Sequence, residues 1–120
     1  MSSLVGKVVR EAEVPLRRSD YGGSLKELVK EKQLHFLIGY FKPGESMRPH
    51  IHTLPEEIYY VLDGEGEMVL GEDRIKISKG MAVFIPPNVA HAPSNTGRKD
   101  LVIAFIHAPP ETGEYMKPVK

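Results

Sequence analysis

The chain has 120 residues, 41% of them hydrophobic, and 16 basic side chains balance 16 acidic ones to a formal net charge of zero. That length is enough for one domain with its own core, and the scattered lysines and arginines exclude nucleic acid or an anionic membrane as the main partner. The absence of cysteine excludes disulfides, thiolate metal sites and cysteine nucleophiles.

The opening "MSSLVGKVVREAEV" lacks the long apolar core of a signal peptide, and no window approaches a membrane span, so a cytoplasmic location is expected. One Gln and two Asn beside ten Lys and twelve Glu lean towards a heat-adapted source. Eleven Gly and ten Pro fall between short apolar runs, the pattern of many short strands joined by tight turns.

In chain order, the first predicted strand is Val5–Val9. Ser24–Lys32 reads two ways: Leu25, Leu28 and Val29 fit a helix face, while the surrounding pattern favours a strand, which is preferred here. Strands follow at Leu34–Phe41, Ile58–Leu62, Glu67–Leu70, Asp73–Ile77, Ala82–Ile85 and Leu101–His107. Gly71-Glu72 joins two of them as a two-residue hairpin with glycine first. The proline-rich tail from Pro109 is an edge strand or a loose end. There is no internal repeat or linker, and the whole reads as an all-β sandwich or barrel.

Two stretches carry chemistry. In "PGESMRPHIHTLPEEIYYVLDGEG", Pro43 to Gly66, His50 and His52 share one face of an extended strand, roughly 7 Å apart at the backbone. Two imidazoles so placed can converge on one ion. Glu57 lies five residues beyond His52, across a turn-like "TLP", a spacing that returns a carboxylate to the same ion on the next strand. Tyr59 and Val61 share the face of Glu57; Ile58, Tyr60 and Leu62 face away, towards a second layer or a partner subunit. In "GMAVFIPPNVAHAPSN", Gly80 to Asn95, a strand ends at Pro86-Pro87, Asn88 turns the chain and His91 opens the next strand.

Together these stretches resemble the paired motifs of the cupin superfamily, small jelly-roll barrels. The first motif is matched by Gly44, His50, His52, Glu57 and Gly64; the second by Gly80, Pro86, His91 and Asn95, with Asn88 where the family has glycine. The resemblance covers Leu34 to about His107. It implies a double-stranded β-helix barrel of the cupin type spanning residues 1–120, with a core at 34–107, N-terminal strands in 5–33 and a tail at 108–120. It also implies one divalent transition metal (Fe, Mn, Ni, Cu, Co or Zn) held by His50, His52, Glu57 and His91. Glu57 is chosen over Glu56 because it alone leaves six residues between itself and Gly64. Three nitrogens and one oxygen leave coordination positions open for a substrate.

Other candidates are weighed on position. Tyr59 takes its phase from Glu57 and is expected in the pocket wall. Arg48 shares parity with His50 and is a candidate cation for an anionic substrate, although Pro49 disturbs that parity. His35 and His107 stand in apolar strands, where a histidine is more often structural than a cavity residue. Asn95 reads as a backbone tether, and a homodimer through Ile58, Tyr60 and Leu62 is expected.

The favoured function is a metalloenzyme acting on a small organic molecule, dioxygenase-like, with Glu57 as a possible base. The alternatives are a non-oxidative isomerase, epimerase or decarboxylase of a sugar phosphate or carboxylate, and a small-ligand-binding protein without turnover.

Overall fold

In the computed structural model, which describes residues 6–119, the chain is built from short antiparallel strands. A 3-10 turn at Glu11–Glu13 precedes β1 (Arg17–Arg18), β2 (Ser24–Lys30), β3 (His35–Phe41), β4 (His50–His52), β5 (Glu56–Asp63) and β6 (Glu65–Leu70). Then come β7 (Asp73–Ser78), β8 (Ala82–Ile85), β9 (His91–Ser94), β10 (Leu101–Ala108) and β11 (Met116–Pro118). One sheet has the order β1-β2-β3-β10-β5-β8, the other β11-β4-β9-β6-β7. The last long strand, β10, lies between β3 and β5. Such non-sequential neighbours roll the sheets against each other into a jelly-roll barrel, as the sequence led us to expect.

Period-two alternation is clearest in β5. Glu57, Tyr59 and Val61 point into the barrel and are buried, whereas Ile58, Tyr60 and Leu62 are exposed on the outer face. Between the sheets, Leu37, Phe41, Val61, Met68, Ile103 and Phe105 belong to one apolar cluster. Among the described residues no helix is long and apolar enough to cross a membrane.

Ser24–Lys30 is a strand, and its helix-like spacing has a local cause. The pairing of β2 with β3 shifts between Glu27 and Val29, so the bulged Leu28 interrupts the period of two. The tail does form an edge strand, β11, which pairs with β4. Gly71 turns the β6–β7 hairpin with φ 63° while Glu72 keeps a negative φ, the combination a type II′ turn requires.

The expected strand Val5–Val9 is corrected. Val5 lies outside the described residues, and 7–10 have no regular structure. Val8 is 84% exposed, and β1, only two residues long, already forms the edge of the sheet on that side. Without a neighbouring strand to take up its backbone groups, a β-prone sequence gains nothing from extension.

Candidate metal centre

Three strands converge inside the barrel. β4 and β9, in the five-stranded sheet, supply His50, His52 and His91; β5, in the facing sheet, supplies Glu57. All four side chains are buried. His50 and His91 are register partners, with ring centroids 4.3 Å apart; the His50–His52 and His52–His91 rings are separated by 5.2 and 5.1 Å.

Three local devices hold these strands. Asn88, where the family motif has glycine, adopts φ 67°, and its N–H donates to the carbonyl of His52 at 2.8 Å. The left-handed turn is thus kept by a residue that tolerates it. Gly64, with φ 85°, packs so closely that a Cβ would lie 2.5 Å from the carbonyl oxygen of Asp100. Asn95 is a buried tether: its amide donates to the carbonyls of Phe41 and Lys99 at 2.7 and 2.9 Å and accepts from Gly97 N–H at 2.9 Å.

Each of the three imidazoles is held from behind. Nδ1 of His50 lies 2.8 Å from the carbonyl of Arg48, Nδ1 of His91 2.9 Å from the carbonyl of Val89, and Nδ1 of His52 2.5 Å from Glu111 Oε1. Those acceptors fix the proton on Nδ1 and turn Nε2 inward as a lone-pair donor. Glu57 Oε1 lies 3.0 Å from His91 Nε2 and 3.2 Å from His52 Nε2. Two donors each about 2.1 Å from one ion, at right angles, would be separated by about 3 Å. Glu57 Oε1 and His91 Nε2 are both buried without a hydrogen-bond partner among the described residues. Left that way each would cost about 1–3 kcal/mol. The donor set therefore fits a divalent ion, and His50, His52 and His91 or His52, Glu57 and His107 could hold one.

The protonation of the cluster follows from its surroundings. Burial, reinforced by the nearby His91, pushes His50 down to about 3, which keeps it neutral and ready to ligate. For His52 burial acts in the same sense, but the contacts and charges of Glu57 and Glu111 outweigh it and raise the imidazole above its ordinary value. Burial would raise Glu57, yet the charge and contact of His107, with His52 and His91, hold it well below the usual carboxylate range.

A cavity of about 370 Å³ opens on the cluster. Tyr59, expected in the pocket wall, lines it, and so do His35 and His107, whose apolar strands favoured a structural role. His107 places Nε2 2.7 Å from Glu57 Oε2, the oxygen turned away from His52 and His91. His35 is hydrogen-bonded through Nε2 to Glu27 at 2.7 Å, and its ring lies 5.6 Å from that of His107; burial lowers its imidazole. Tyr59 stacks on Phe105 at 4.5 Å and meets His91 edge-on at 5.6 Å; burial, then the charge of Glu57, holds its hydroxyl well above the ordinary phenol range.

Arg48 does not line the cavity. It is exposed, its guanidinium rests 4.6 Å above the ring of Tyr21, and it donates to the carbonyl of Asp20 at 3.3 Å. Pro49 and the irregular chain before β4 remove the alternation that would have aimed it inward. The ring of Tyr21 in turn meets His50 edge-on at 5.1 Å.

Sequence reasoning missed Tyr21, Arg17, Lys30 and Glu111, all of which line the cavity. None belongs to a motif. The signal for Glu111 would have been the pairing of the tail with β4, which a single sequence does not reveal.

The cupin domain family model matches residues 37–107, more than half of the chain. The chain belongs to the cupin family. This cupin is similar to an oxalate-binding protein of Thermotoga maritima, 32% identical over 112 residues that cover 84% of this chain and 93% of that one. An uncharacterized protein of Methanocaldococcus jannaschii is 38% identical over 71 residues, 59% of this chain; the match spans 57% of the length of that relative. Among solved structures, a predicted oxalate decarboxylase from Thermotoga maritima superposes with a TM-score of 0.80 at 27% identity, covering 87% of this chain and all of that one.

Proposed function

We propose that this cupin binds one divalent transition ion through His50, His52, Glu57 and His91, and uses the ion's open side to take a small chelating organic anion of the oxalate type. The observation that carries this reading is the set of inward Nε2 and Oε1 atoms, with His50, His52 and Glu57 lining a cavity and each imidazole held from behind by an acceptor. When bound, the ion would supply a Lewis-acidic centre for a pair of ligand oxygens. Arg17 and Lys30, exposed while lining the cavity, would draw an anion towards it. Tyr59 and Phe105 would exclude water from the floor. His107 would keep Glu57 aimed at the ion. An ionised carboxylate surrounded by three imidazoles has little drive to take up a proton, so we assign Glu57 to holding the ion rather than to acting as a base. The likeness to an oxalate-binding protein supports the ligand class.

A second reading is an oxidative, dioxygenase-like turnover of a larger chelating substrate such as a catechol or diketone. It is favoured by the apolar wall of Leu25, Leu37, Met47 and Phe105, which a two-carbon diacid would leave unused. We further propose that the protein works as a homodimer. Support comes from the exposed outer face of β5 and β8, where Ile58, Tyr60 and Leu62 lie beside Phe84, itself 54% exposed.

The test is elemental analysis of the purified protein, then calorimetric titration of oxalate into metal-loaded and metal-stripped samples. Ion-dependent binding of oxalate is expected. No bound ion would overturn the metal centre. Ion without oxalate affinity, together with oxygen uptake on a catechol or diketone, would favour the second reading.

A further inference from the structure

The matched cupin domain ends at His107, yet the metal centre does not. Beyond β10 the chain crosses to the opposite sheet and lays β11 along β4, with Met116 opposite His52 and Pro118 opposite His50. Thr53 N–H donates to the carbonyl of Tyr115 at 2.7 Å, and Val119 N–H to that of Pro49 at 3.0 Å, so the segment is clamped at both ends of the ligand strand. Between β10 and β11 Glu111 turns inward and is buried. Its Oε1 lies 2.5 Å from His52 Nδ1, and its Oε2 accepts from the N–H groups of Gly113 at 2.8 Å and Tyr115 at 3.2 Å. One carboxylate thus joins a ligand imidazole to the backbone of the tail. The same segment contributes Glu111, Thr112, Gly113 and Met116 to the cavity wall.

A carboxylate behind a ligand histidine fixes its tautomer and orientation and raises the basicity of the nitrogen that meets the ion. Glu111 occupies that place only while the segment lies docked on β4. We infer that docking of the C-terminal segment Pro109–Val119 and occupancy of the metal centre are coupled through Glu111, so that ion binding straps the segment over the cavity. This rests on the metal-centre reading above and adds a regulation of that site. Such coupling is reciprocal: the factor by which a docked strap tightens the ion is the factor by which the ion favours docking. Glu111 is a positioning residue that acts through His52, and a ligand held beneath Thr112 and Gly113 would be retained by the same closure.

The coupling is tested on the full chain with Zn²⁺ as probe. Glu111→Gln keeps the shape of the side chain but replaces one acceptor oxygen by an NH₂ group, which cannot accept from either His52 Nδ1–H or the two backbone amides. Glu114→Gln, on the exposed side of the strap, removes the same charge without touching His52. Competition against a chelating dye should show Zn²⁺ affinity reduced about 10- to 100-fold in Glu111→Gln and within about twofold of the parent in Glu114→Gln. Hydrogen exchange of the parent, with and without Zn²⁺, should show added protection of the Thr53, Gly113, Tyr115 and Val119 amides by a similar factor, and this gain should be lost in Glu111→Gln. Unchanged affinity in Glu111→Gln, or equal exchange of those amides in the metal-free and Zn²⁺-loaded parent, would overturn the coupling; the exchange comparison holds even if the variant does not fold. Failure of the parent itself to bind Zn²⁺ would instead sink the metal-centre reading.

Discussion

Replacing His107 by leucine removes one partner of the buried Glu57 carboxylate while filling nearly the same volume, so the polar contribution is isolated from cavity formation. Nε2 of His107 is 2.7 Å from Glu57 Oε2, and both side chains are almost fully enclosed. Taking away one partner of a buried polar group costs about 1–3 kcal/mol, towards the top of that range when the group left behind is ionised. Here Glu57 is ionised but keeps His52 and His91 at 3.2 and 3.0 Å, and about 2–3 kcal/mol is expected in metal-free protein. For a domain of this length roughly 3–5 °C of melting midpoint is lost per kcal/mol, which places the fall at about 6–15 °C. The assay is thermal unfolding followed by circular dichroism after chelation of metal, repeated in a Glu57→Gln background. With the carboxylate neutralised first, His107→Leu should have little further effect. Saturating Zn²⁺ should narrow the difference in the Glu57 parent, because the ion takes over part of the compensating charge. A metal-free midpoint within about 2 °C of the parent, or an equal loss in both backgrounds, would refute the view that His107 stabilises this carboxylate.

The pH dependence of metal-free stability should reflect two histidines of opposite sign. His50 is held down to about 3 when folded, so below about pH 6.5 the unfolded chain alone takes up that proton, and its contribution falls by about 1.4 kcal/mol per pH unit until pH approaches 3. His52 is raised, so its contribution is present below about 6.5 and is lost as pH rises through the folded value. Urea midpoints should therefore decline on both sides of near-neutral pH, and a midpoint that rises steadily from pH 4.5 to 6.5 and on to 8.5 would contradict the His52 assignment. Asn95→Ala should cost about 2–4 kcal/mol, because it leaves the Phe41 and Lys99 carbonyls and the Gly97 N–H without their partner. Urea unfolding measures that loss, and Zn²⁺ affinity should stay near the parent value. Phe84→Glu, on the outer face beside Ile58, should convert a dimer to a monomer in sedimentation equilibrium without lowering ion binding; a parent that sediments as a monomer would dispose of the homodimer.

Much of this protein was readable along the chain. The parity of His50 and His52, the inward phase of Glu57, Tyr59 and Val61, and the Gly71 hairpin all appear where the sequence places them. Each depends on local chain geometry: side chains alternate along a strand, and only certain residues turn the chain at positive φ. Local geometry also set the limits. Arg48 has the parity of an inward residue but stands before Pro49, off any regular strand, and stacks outward on Tyr21. Val5–Val9 has β-forming residues, yet 7–10 find no strand to pair with.

What tertiary structure alone decided is which distant residues meet. His35 and His107 lie 72 positions apart and are direct partners across β3 and β10, which turns two isolated histidines into neighbours at the cavity. Glu111, 59 positions beyond His52, reaches its imidazole because the tail pairs with β4. By itself the sequence determined most of the strands and turns and put forward four candidate ligand residues, since these rest on near-neighbour conformation and on motif spacing. The ring of supporting groups behind the donors was settled by sheet order and register, because contacts between remote strands are set by how whole sheets pack and leave no period in the chain.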